Sequence, residues 1–323
     1  MPRPRTLFRS KKEFPSVPRS PFAFLVAALS LAFAPTAARA EGGESLNSLP
    51  RFDLQRLRMD PSALGSLMVG TGRTLPQGMA RVSFNFHYEN LPMRFQTRWE
   101  PGAGVGLVEN KMTLSLTAAY GVFSWLDVGA ELPFIISQNG QPTLAYSQPQ
   151  SSGLATPWLS ARVALLRMTH QAPLNLALAM TAGLPVGSEA ALGREDHVYQ
   201  PRLQLGYVGE GFQVGGEASL YLRQKRDLTP VSYENKDIVG NELRLAATVT
   251  SREGETTRGE VSALVGLPLQ GGRIGAELLV AIRRHTLPGL DLYVMGGPGV
   301  GAGLDTPTFR FVAGASFATD KVD

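Results

Sequence analysis

No cysteine occurs in the 323 residues, which excludes a disulfide framework, a thiolate metal site and a cysteine-borne lipid anchor. Histidine is scarce too: His87, His170, His197 and His285 include no pair at ligand spacing, so neither a metal nor a cofactor is expected. Beyond residue 40 no apolar run approaches the roughly 20 residues that a membrane-spanning helix needs. An excess of one charge sign is also missing once the first forty residues are set apart. They hold seven of the 31 Lys/Arg and one of the 27 Asp/Glu, leaving 24 basic against 26 acidic residues. Nothing in that balance argues for a nucleic-acid partner.

Residues 1–40 have the layout of a secretory leader. Arg3, Arg5, Arg9, Lys11, Lys12 and Arg19 form the basic region, 22–34 the apolar one, and Ala38-Arg39-Ala40 the small-residue cleavage site. Cleavage after Ala40 is expected. The rival, an uncleaved anchor, is disfavoured because the apolar region of thirteen residues is too short to span.

What is present after residue 77 is alternation. Twelve segments change apolar for polar at every residue, at 80–89, 110–120, 125–135, 157–167, 173–184, 198–207, 211–223, 239–250, 258–267, 273–283, 290–298 and 308–318. In lipid every backbone amide must be paired internally, which allows only helices or closed barrels, and no helix candidate exists here. The expectation is an all-β, antiparallel, up-and-down transmembrane barrel of about 12 strands over 78–318. Its lipid face reads Val82, Phe84, Phe86 and Tyr88 on strand one, Met112, Leu114, Leu116 and Ala118 on strand two, and Leu174, Leu176, Leu178 and Met180 on strand five. On the last strand Phe309, Phe311 and Phe317 share one face with Ala313 and Ala315. A terminal strand of this kind resembles the signal by which bacterial outer-membrane barrels are recognised, so the expected partners are outer-membrane lipid and the barrel-assembly machinery.

Connections after odd strands (90–109, 136–156, 185–197, 224–238, 268–272, 299–307) are mostly long, and those after even strands (121–124, 168–172, 208–210, 251–257, 284–289) are short. Outer-membrane barrels combine long external loops with short periplasmic turns, which puts both chain ends, including a tail at 319–323, in the periplasm. Aromatics cluster at two levels as interfacial girdles would: Tyr120, Phe123, Trp125, Tyr207 and Phe212 at one, Tyr88, Phe134 and Tyr199 at the other. Trp158 falls on the inward side, as a one-residue slip of strand four would explain. Residues 41–77 show neither period and are read either as a periplasmic tail or as a plug. The glycine run 296–303 lacks the Lys-Ser/Thr ending of a phosphate loop and is read as a flexible strand end.

Inward positions collect the charges Asp127, Glu131, Arg162, Arg202, Glu217, Glu242, Arg244, Glu260, Glu277 and Arg310. They are candidates to line or gate a pore, set against the plainer reading that they pair across strands. Twelve strands about 4.8 Å apart and tilted near 40° enclose a backbone diameter of roughly 24 Å, which side chains largely fill.

The run from Tyr120 to Pro133 resembles a phrase of transporter-like barrels of the MetA-pathway phenol-degradation group. Phe52 to Arg56 and Val239 to Leu243 resemble stretches in the N-terminal barrel of OmpA-family proteins. The likeness covers roughly 50–318. It implies an outer-membrane channel or transporter for small, hydrophobic or aromatic molecules, or else a structural barrel with a blocked lumen. The peptidoglycan-binding domain that follows the barrel in the OmpA family is not expected, since the last strand ends five residues before Asp323. An enzyme is not expected, because hydrolysis would need a serine–histidine contact at the membrane rim.

Overall fold

The computed structural model describes residues 51–96, 104–143, 146–168, 173–228, 237–252, 254–301 and 303–319. The expected leader, its Ala38 and Ala40 site, and His170 lie outside them. Twelve long strands follow: β1 (Ala80–Gln96), β2 (Gly104–Phe123), β3 (Leu126–Asn139), β4 (Trp158–Leu166), β5 (Leu174–Gly183), β6 (Val198–Val208), β7 (Phe212–Arg223), β8 (Glu242–Ser251), β9 (Thr257–Pro268), β10 (Gly275–Leu287), β11 (Leu290–Gly301) and β12 (Phe309–Ala318). Each pairs antiparallel with its neighbours, and β12 returns to β1 with Arg81 opposite Ala318 and Asn90 opposite Phe309. The sheet is a closed barrel with no free edge, as the even strand count requires.

Side-chain alternation has the expected sense. On β1 Ser83, Asn85, His87 and Glu89 are buried inside while Phe84 faces out, and on β5 Asn175, Ala177 and Ala179 are inside while Leu178 and Met180 are exposed. Val249, Val280, Val294 and Phe311 continue the apolar outer surface around the wall. A barrel with side chains such as Leu178, Val280 and Phe311 outside and Lys111, Arg162 and Arg310 inside is stable only where the outer solvent is hydrocarbon. Phe123 stacks on Trp125 with ring centroids 5.4 Å apart, and Tyr207 lies 6.2 Å from Phe212, so the girdle at the short-turn rim is built of neighbouring pairs. Leu178→Arg, at mid-strand, is expected to cost about 2–4 kcal/mol in a refolding titration into lipid vesicles, and Leu287→Arg, at the rim, about 0–1. An arginine at the neighbouring inward position Ala179 is no mild comparison, because Ala179 lines a crevice already holding Arg162 and Arg202.

Three sequence expectations need correction. Residues 90–109 are not a loop throughout: β1 and β2 run on as a hairpin whose register shifts after Asn90, where Leu91 adopts φ 49°. That bulge turns Met93, Phe95, Leu107 and Val108 into a buried cluster at the long-loop rim. Trp158 is lumenal without any slip, opposite Glu131 and 2% exposed, because the Arg58 guanidinium stacks on its ring. The glycines at 296–301 are ladder residues of β11 rather than a flexible end; a side chain at Gly297 would collide with the Leu278 carbonyl.

Residues 51–77 cross the interior. Phe52 and Leu54 pack with Phe95, Leu107, Leu192 and Leu228 at the long-loop rim, and Asp53 forms a bridge with Gly193. Leu57, Met59, Leu67, Met68 and Val69 pack farther down against Leu279, Ala281, Tyr293, Met295 and Val312 of the wall. The Gly78 amide then donates to the Gly121 carbonyl at 2.8 Å, at the short-turn rim where β1 begins. Inward-facing glycines make room for this backbone: a Cβ at Gly121 would strike the Pro76 carbonyl, and one at Gly206 the Thr71 carbonyl.

Candidate functional site: the barrel lumen

Among the described residues the polar contacts of the lumen mostly join the wall to itself or to the crossing segment, and nine of the ten sequence-predicted charges, all but Glu131, divide between these roles. Arg310, Glu277 and Glu89 form a buried wall triad: Arg310 donates from Nε to Glu277 at 2.6 Å and from Nη1 to Glu89. Arg202 lies 3.7 Å from Glu217 on the neighbouring strand. Glu242 accepts from Arg223 at 2.8 Å and from Arg244 at 3.0 Å.

The remaining contacts bind the segment largely through its backbone. Carboxylates take its amides: Asp127 accepts from Leu75 N at 3.0 Å, Glu260 from Leu67 N at 2.9 Å and Glu217 from Gly70 N at 3.2 Å. Guanidiniums take its carbonyls: Arg283 donates to Ala63 O at 3.0 Å, Arg258 to Gly65 O at 2.8 Å, and Arg162 to Arg73 O at 2.8 Å. Arg162 also pairs with the Asp60 carboxylate, both side chains being almost wholly buried. Cross-strand pairing therefore accounts for only part of the lumenal charge. Glu131 is close enough to Arg58 and Arg202 to feel both, yet its Oε1 has no hydrogen-bond partner.

Sequence reasoning missed the residues on the other side of these contacts. Arg56 donates to Asp305 at 3.0 Å and to Thr306 at 2.9 Å. Asp305, from the last long connection, dips among Arg56, Arg223 and Arg244. Burial pushes its carboxyl up, but the three guanidiniums outweigh this and hold it below the usual carboxylate range. At the same rim burial pushes the Glu195 carboxyl up, against the opposing pull of Arg223. Neither His87, whose ring nitrogens have no hydrogen-bond partner, nor His285, which meets Asp291 at 3.0 Å, is bonded to a serine.

A closed twelve-stranded antiparallel barrel with an apolar exterior and a polar, chain-filled interior defines the class: a membrane-spanning β-barrel. Among solved structures the chain is similar to the COG4313 outer membrane channel from Pseudomonas putida F1, with a TM-score of 0.53 at 14% identity over 77% of this chain and 98% of that one. It is also similar to the NanC porin (TM-score 0.48, 11% identity, 73% and 98% covered) and the KdgM porin (0.46, 10%, 74% and 99%). At these identities the likeness speaks for the barrel fold alone. No family model and no curated protein matches the chain. The OmpA resemblance gains nothing from these comparisons.

Proposed function

We propose that this protein is an integral outer-membrane channel for small molecules, with residues 51–77 as a plug that the lumenal charges hold in place. The observation that carries this reading is how the segment is held. It is joined covalently to the barrel only through the turn into β1, and beside one apolar cluster it is held by ion pairs and backbone hydrogen bonds to polar wall residues such as Arg162, Glu217 and Glu260. Contacts of that kind can be exchanged for water when the segment moves. The barrel fold of a protein described as an outer membrane channel lends support. The sequence likeness to phenol-degradation barrels suggests hydrophobic or aromatic solutes.

The alternative is a structural barrel whose lumen stays blocked, and the apolar cluster joining Leu57, Leu67 and Val69 to the wall favours it. Current through planar bilayers separates the two. The full chain should give low, intermittent conductance and a chain lacking 41–77 a sustained one. Equal currents would remove the plug, and silence from both would leave the structural barrel.

Export through a leader cleaved after Ala40 belongs to the same reading, as does recognition of Phe309, Phe311 and Phe317 by the assembly machinery. All three phenylalanines are on the outer face. Mass spectrometry of the membrane-extracted protein should find Glu41 at its amino end. An intact Met1 would argue for an anchor.

A further inference from the structure

The crossing segment is bound unevenly around the lumen. Apart from those that Arg56 and Asp53 make to the connections, its polar contacts with wall side chains go to β3, β4 and β7–β10, through Asp127, Arg162, Glu217, Glu260 and Arg283 and through Arg244, which donates to the Arg56 carbonyl. On β1 and β2 the situation is reversed. Asn85, His87 and Glu89 face inward opposite Ser115, Thr113 and Lys111 in register, and none of the six is more than 1% exposed. Every one carries a polar atom without a hydrogen-bond partner: Asn85 Nδ2, both His87 ring nitrogens, Glu89 Oε2, Lys111 Nζ, Thr113 Oγ1 and Ser115 Oγ. Asn85 and Glu89 are satisfied at their other oxygens by Tyr293 and Arg310, whereas His87, Lys111, Thr113 and Ser115 have no side-chain partner at all.

Unpartnered atoms elsewhere on the wall mostly belong to residues otherwise bonded, such as Arg162, Arg202, Gln204 and Arg258, with Glu131, Trp158 and Gln213 as exceptions. Only β1–β2 concentrates them in one contiguous strip among the described residues. Burying a polar group without a partner is costly, so the covered strip favours any arrangement in which water or a polar solute reaches it. The anchored side has the opposite preference, since moving the segment there would break ion pairs.

We infer that the segment stays fixed to β3–β4 and β7–β10 and lifts from β1–β2, so that solute crosses along Asn85, His87, Glu89, Lys111, Thr113 and Ser115. This rests on the channel reading but departs from the hydrophobic or aromatic solutes that the sequence likeness suggests: the strip fits small polar solutes, with anions such as carboxylates preferred. The preference follows from Lys111. Glu89 is engaged by Arg310, whereas the lysine ammonium has no bonded counter-ion along the strip.

The absence of cysteine makes the test clean, because each substitution supplies the chain's single thiol. Thr113→Cys and Ser262→Cys place it at equally buried inward sites, one on the strip and one on β9 beside Glu260. With the full chain in planar bilayers, a negatively charged methanethiosulfonate should reduce the Thr113→Cys current. By mass spectrometry it should label that thiol at least about tenfold faster than the one at Ser262. Ser115→Cys serves if Thr113→Cys fails to fold. Equal or faster labelling at Ser262, or labelled Thr113→Cys with undiminished current, overturns this path while the channel stands. A silent parent chain beside a conducting chain lacking 41–77 overturns this path alone, and silence from both chains overturns the channel reading with it. In a KCl gradient the reversal potential should lie on the anion side and move towards the cation side in Lys111→Gln. An unchanged potential removes the anion preference.

Discussion

Arg310→Met is expected to destabilise the barrel by about 3–5 kcal/mol in urea unfolding from lipid vesicles. Arg310 is fully buried and is the common partner of Glu89 on β1 and Glu277 on β10. It reaches Glu277 across β11 because the intervening inward positions, Gly297 opposite Arg310 and Gly299 opposite Glu277, carry no side chain. Methionine fills similar volume but leaves two carboxylates close together with no cation. The cost of a broken buried pair is mostly the stranded charge rather than the lost attraction. Replacing all three, with Glu89→Leu and Glu277→Leu added, should recover much of the loss. The triad also lies at the seam where the last strand meets the first, so its loss should appear in the closure of the barrel. A loss below about 1 kcal/mol would mean that the carboxylates are hydrated and that the triad contributes as little as a surface pair.

The barrel was legible because lipid enforces a strict rule: one face of every strand must be apolar, and period 2 identifies that face without knowledge of partners. Phe84 outside and Glu89 inside on β1, or Phe311 outside and Arg310 inside on β12, follow from parity alone. The partners of the inward charges were not legible, since half of them come from a segment without periodicity. Phe52, Asp53, Leu54, Leu57 and Asp60 are all buried because wall surrounds the segment on every side, and a chain with no solvent face has no reason to alternate. A trace of the occupant was nonetheless present. Gly121 and Gly206 stand at inward positions where a lumen otherwise filled by side chains would call for something larger, and both are where the segment's carbonyls press closest. The hairpin over 90–109 escaped notice because the bulge at Leu91 exchanges the faces, so the alternation breaks although the strands continue.

The second large effect falls on the segment rather than the barrel. Arg162→Gln strands the Asp60 carboxylate, whose side chain is completely buried, and takes donors from Ser62 Oγ and the Arg73 carbonyl. Breaking such a pair costs about 3–5 kcal/mol, or roughly two to four orders of magnitude in the ratio of seated to released segment. The twelve strands keep their pairing throughout, because Arg162 is not needed for the ladder that β4 makes with β3 and β5. Urea unfolding should therefore change little, while hydrogen exchange of the amides between 57 and 75 rises steeply and those of the strands remain protected. Asp60→Asn together with Arg162→Gln removes the stranded charge and should restore much of the protection, a coupling that two independent losses would not show. If the segment is the plug, bilayer current should follow the same order, greatest in Arg162→Gln and lower in the double variant. Exchange that rises without any current would separate the two ideas: the ion pair would then seat the segment in a barrel that conducts nothing when the seat is lost. Exchange that stays low in Arg162→Gln would instead mean that Leu57, Met59, Leu67 and Val69 hold the segment by apolar packing, with the buried charge tolerated rather than required.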